Sequence, residues 1–109
     1  MPGFFPPKLI VALTLGLLLA ACGEDPQKMM SSARNYLAKG DVNAATIQLK
    51  NVLQKKPELG EARLLFGQIL LDSGDVAGAE KELHKALQAG QAKENVIPLL
   101  SRAMLSLGK

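Results

Sequence analysis

The sequence is poor in the residues that most often carry chemistry. Its 109 positions include one cysteine, one histidine, one tyrosine, three phenylalanines and no tryptophan. A single cysteine excludes an internal disulfide, so no covalent cross-link holds the fold. Catalysis needs a converging nucleophile, base or metal set, and the sequence offers almost none of one. His84 falls on a helix between Leu83 and Lys85, where a solvated surface position is expected. Glu80 and Glu82 are two apart on that helix, so they point to different sides and cannot work as a pair. They are expected to support His84 and Lys85 at the surface. There is no glycine-rich phosphate loop, because Gly40, Gly74 and Gly90 are accounted for by helix ends. The formal charge is only +3, and no basic run exceeds Lys55-Lys56. That pattern excludes a nucleic-acid footprint. No catalytic residue, metal site or cofactor is expected, and no small-molecule substrate.

What the chain does have is a repeat. Laying Leu37–Gln54 over Leu71–Gln88 brings eight positions into identity without a gap. They are Leu37/Leu71, Gly40/Gly74, Asp41/Asp75, Val42/Val76, Ala45/Ala79, Leu49/Leu83, Leu53/Leu87 and Gln54/Gln88. One further period on, two columns continue as Leu105 and Gly108. A fixed period of this length is the mark of a stacked array. Leucine and small residues dominate over aromatics, which favours closely packed helices over a sheet.

The spacing predicts five helices in antiparallel sequence: about Pro26–Lys39, Val42–Lys55, Gly60–Ser73, Val76–Ala89, and a fifth from near Asn95 to Leu107 with Pro98 in its first turn. Gly40-Asp41 and Gly74-Asp75 read as turns, the glycine left-handed at a helix end and the aspartate capping the next helix. Pro57 forbids continuation of the second helix. Ala62, Leu65, Phe66, Ile69 and Leu70 follow i, i+3, i+4, i+7, i+8 on the third.

Ahead of the helices, Met1–Ala21 reads as an export signal. Leu9 to Ala21 is an unbroken, uncharged apolar run preceded by Lys8. It is short for a permanent span, which takes about 20 residues, and suits a signal core. The run ends in Leu19-Ala20-Ala21-Cys22, which resembles the bacterial lipobox. The resemblance implies a covalent lipid on Cys22, a mature chain beginning there, and anchoring on the periplasmic side. By resemblance to enterobacterial sorting, Gly23 in place of Asp favours the outer membrane over the inner. Residues 22–25 would then be the acylated cysteine and a short tether.

The repeat columns resemble the tetratricopeptide repeat. The family's small-residue column falls on Ala33 and Gly67, and its aromatic column on Tyr36 and Leu70. The second helices match at Ala45/Ala79, Leu49/Leu83 and Val52/Ala86. The helix-ending proline is Pro57, with Gln91 in its place one repeat later. Met29 and Arg63 stand in the tryptophan column. The resemblance implies an all-α solenoid of about two and a half repeats, 26–59, 60–93 and an incomplete 94–109. It also implies a concave groove formed by the first helix of each pair. Groove positions fall on Met30, Arg34 and Leu37, then Leu64, Gln68 and Leu71, then Arg102 and Leu105. These predict an apolar stripe flanked by Arg34, Gln68 and Arg102, which would seat an apolar-faced helix or an extended peptide. The alternative is that the same side chains pack between repeats.

The lipobox directly followed by repeats, with Ala-Lys-Gly-Asp, Ala-Arg-Leu-Leu-Phe-Gly and Ala-Glu-Lys-Glu-Leu-His-Lys-Ala-Leu, is similar to the repeat lipoprotein of the PEP-CTERM/exosortase system. That similarity implies an envelope protein partner in exopolysaccharide export or protein sorting in a Gram-negative bacterium. Two other readings stay open: a pilotin-like chaperone for outer-membrane assembly, and the targeting module of a longer enzyme. Gly108 stands in the turn column with an apolar fifth helix before it. The expectation is the front end of a longer solenoid, or a dimer if the chain stops at Lys109.

Overall fold

The computed structural model describes residues 24–109; the stretch read as an export signal and Cys22 lie outside the described residues. Five helices follow one another, α1 (Pro26–Ala38), α2 (Val42–Lys55), α3 (Gly60–Asp72), α4 (Val76–Gln88) and α5 (Lys93–Ser106), with no strand among the described residues. This is an all-α helical solenoid. From α1 to α3, and from α2 to α4, the helix starts advance by one full sequence period, as the repeat requires.

Each closing turn has the same construction. Gly40, Gly74, Gly90 and Gly108 take φ of +78°, +91°, +90° and +75°, a region open to glycine but costly for residues with a Cβ. The residue after each glycine donates its N–H back to the helix: Asp41 to Tyr36, Asp75 to Leu70, Gln91 to Ala86 and Lys109 to Met104, at 2.8–3.0 Å. These bonds satisfy carbonyls that a helix end leaves orphaned. Asp41 and Asp75 then cap the following helices, their carboxylates accepting from Ala44 N–H at 3.1 Å and Gly78 N–H at 3.0 Å. One glycine and one aspartate thus end one helix and begin the next.

α5 departs from expectation at its start. It begins at Lys93 rather than near Asn95, and Pro98 sits inside it rather than in its first turn. Ala92 offers no side-chain cap, so no local signal marks the boundary. Proline here removes one i→i−4 bond, to Glu94, and Glu94 is exposed, so water can take the freed carbonyl.

The core forms two clusters that share α3. The first joins Met29, Met30 and Ala33 of α1 to Ala45, Leu49, Val52 and Leu53 of α2 and to Ala62 and Ile69 of α3. The second joins Leu71 of α3 to Ala79, Leu83 and Ala86 of α4 and to Val96, Leu100 and Ala103 of α5. α3 is therefore apolar on two sides: Ala62, Leu65, Phe66 and Ile69 pack back, while Leu64, Leu70 and Leu71 pack forward. The same backward columns on α5 are Val96, Leu99, Leu100 and Ala103. On α1 they are Lys28, Ser31, Ser32 and Asn35, of which three are exposed and Ser32 half-buried. The outer side of the first helix is polar where its successors are apolar.

Candidate protein-interaction surface

α1, α3 and α5 are the first helices of successive pairs, and the residues expected to line a groove divide on them by depth. Met30 is wholly buried in the first cluster, and Leu71 is 5% exposed in the second. Leu37 and Leu64 are half-buried, whereas Arg34, Gln68, Arg102 and Leu105 are exposed. Helical spacing places all eight on neighbouring columns, but it cannot say how deep a column lies once a second helix stands beside it.

Two ion pairs cross between these helices. Arg34 of α1 meets Glu61 of α3, and Arg102 of α5 meets Asp72 of α3 at 3.1 Å. All four side chains stay substantially exposed, so each pair is worth at most about 1 kcal/mol. Their effect is to neutralise the surface locally. Gln68 of α3 is exposed and uncharged, and its column is shared by Arg34 and Arg102. Near the α1–α2 turn, Leu37, Val42, Ile69, Asp72 and Ser73 line an open depression of about 180 Å³. Amides, half-buried leucines and self-neutralised charges make a surface that can hold a polypeptide through backbone hydrogen bonds and apolar side chains.

A third ion pair, away from this surface, is one that sequence reasoning misses. Glu82 does not stand at the surface beside Lys85 as expected; it is 8% exposed and accepts from Arg63 Nη1 at 2.7 Å. Lys85 stands 3.9 Å away on its other side. Arg63 Nε also donates to the Pro57 carbonyl at 2.9 Å, so one guanidinium ties the α2–α3 loop to α4. Arg63 occupies the column where the family carries an aromatic, and that replacement is the available signal: a charged residue in a packing column needs a partner. His84 is exposed, its Nε2 3.8 Å from Glu80 Oε1, and Glu80 also accepts from Lys109 at 3.0 Å. Among the described residues no three potential metal ligands cluster, and no helix is long and apolar enough to cross a membrane.

Comparison with curated proteins and with solved structures gives no significant match. A family model for the tetratricopeptide repeat matches residues 36–107, more than half of the chain. With paired helices in the register of the sequence period and a small residue where α3 crosses α4, this protein belongs to the tetratricopeptide-repeat family.

Proposed function

We propose that this protein is a lipid-anchored scaffold of the bacterial cell envelope, held through acylated Cys22, which presents its repeats to a protein partner on the periplasmic side. The repeat fold supplies the interaction role. The observation that carries the reading is the surface shared by α1, α3 and α5. Its charges are already paired with one another, and it leaves Gln68 and Leu105 exposed. Such a surface offers contacts for a polypeptide chain, which suits a protein that acts by holding a partner.

Confinement supplies the mechanism. A protein tied to a surface meets neighbouring partners at an effective concentration set by its tether. Two or three acyl chains, at about 0.8 kcal/mol per buried CH₂, give lasting attachment where one chain is marginal. Gly23 after the lipobox cysteine favours the outer membrane, and the likeness to the PEP-CTERM/exosortase repeat lipoprotein favours partners in exopolysaccharide export or protein sorting.

Metabolic labelling with palmitate tests the anchor. Labelling is expected in the native chain and lost in Cys22→Ser, which should also leave the membrane fraction; unchanged labelling sinks the anchor. Crosslinking in the native envelope followed by affinity capture tests the pathway. Recovery of exopolysaccharide-export or sorting components supports it, and consistent recovery of unrelated proteins overturns it.

A further inference from the structure

The carboxylates of this protein are mostly engaged. Among the described residues, Asp25, Asp41 and Asp75 cap helices, where the positive end of the helix dipole offsets their charge. Glu61, Asp72, Glu80 and Glu82 sit in ion pairs. Lys85 and Lys109 are paired with carboxylates, whereas the lysines of α2 are in no ion pair with a side chain. That helix carries Lys50 and Lys55, with Lys56 next to its end, and holds no acidic residue.

Its outward face has a second peculiarity. Ile47 is 59% exposed, on the opposite side of the helix from buried Ala45, Leu49 and Val52. The repeat does not ask for it, since the counterpart one period later on α4 is Lys81. Lys50, Lys55 and Lys56 correspond to His84, Ala89 and Gly90. An apolar residue among lysines is thus particular to the first pair of helices.

The first pair is also the one joined to the tether. Lys55 Nζ donates to the carbonyl of Glu24 at 2.9 Å. Lys55 therefore holds the chain two residues along the sequence from Cys22.

We infer that the outward face of α2, with Ile47 flanked by Lys50 and Lys55 and with Lys56 just past the helix end, rests on the anionic headgroups of the membrane that carries the anchor. The inference rests on acylation of Cys22. Glu24 and Glu58 reduce the local charge, so the lysines act together with the apolar side chain and the tether rather than as an independent anchor. Contact on this side sets the orientation of the array: it fixes which of its surfaces face away from the membrane.

The test uses the acylated full chain in vesicles of phosphatidylcholine, with or without phosphatidylglycerol. A fluorophore is attached at Ile47→Cys, or at Gln68→Cys as reference, and quenched by nitroxide-labelled headgroups. Stronger quenching at position 47 than at 68, dependent on phosphatidylglycerol and weakened by salt, is expected. Lys50→Gln, Lys55→Gln and Lys56→Gln combined should remove it, each lysine counting about fivefold in the contact equilibrium. Equal quenching at the two positions overturns the inference, as does a signal that ignores the lysines. So does a face that stays off the lipid and instead crosslinks to an acidic protein. Failure of the anchor itself reads separately, as loss of palmitate labelling and of flotation with vesicles at high salt.

Discussion

Gly67 and Leu83 meet where α3 crosses α4. A Cβ added to Gly67 would lie 2.8 Å from Leu83 Cγ, and Leu83 is completely buried. The glycine is there because the helices approach too closely for any side chain. Gly67→Ala should therefore destabilise the fold even though alanine is the better helix former. Overpacking costs about 1–3 kcal/mol, and the propensity gain returns about 1 kcal/mol at most. A lower urea midpoint is the expected reading, and a raised one would show that Leu83 has room to move.

Arg63 and Glu82 are a nearly buried pair, with side-chain exposures of 14% and 10%. Removing one partner, as in Arg63→Met, leaves a carboxylate short of its cation and should cost about 2–4 kcal/mol, toward the lower part of the range for buried pairs. Replacing both, Arg63→Met with Glu82→Leu, should cost less than the sum of the single changes. Chemical denaturation of the four proteins gives the coupling, and strict additivity would show that the two residues act independently.

The pairs Arg34–Glu61 and Arg102–Asp72 should behave differently. Their side chains are 37–59% exposed, so Arg34→Gln or Arg102→Gln should change stability by less than about 1 kcal/mol. The melting transition is expected to shift little. A loss comparable to that of Arg63→Met would mean that these pairs lock the helices together.

Depth separates the residues of the proposed groove in the same way. Leu71→Ala empties a core position and should cost about 2–5 kcal/mol. Gln68→Lys, on exposed surface, should stay within about 0.5 kcal/mol of the parent. With Leu105→Glu, which is 75% exposed in the parent, it should reduce partner capture while the helical circular-dichroism signal is kept. Capture that survives both changes would move the binding surface elsewhere.

Much of this architecture is legible in the sequence because its signals are local. Gly40-Asp41 and Gly74-Asp75 announce a turn by themselves, since a left-handed glycine and a capping aspartate need no distant partner. The period then carries the turns along the chain. What is not legible depends on residues far apart. Glu82 looks solvated until Arg63, 19 residues away, is seen to meet it. Met30 and Leu71 share columns with exposed residues, and only the second cluster shows why α3 must be apolar on two sides. The start of α5 is hidden because Ala92 carries no capping group.

The polar columns of α1 give the array a direction. Lys28, Ser31, Ser32 and Asn35 stand where α3 and α5 offer Ala62, Leu65, Phe66, Ile69 and Val96, Leu99, Leu100, Ala103. An apolar helix face laid on that flank of α1 would bury uncompensated polar groups. Head-to-tail joining of two copies through that flank is therefore unfavourable. Open-ended fibres, which need such a heterologous contact repeated without closure, are disfavoured at this flank.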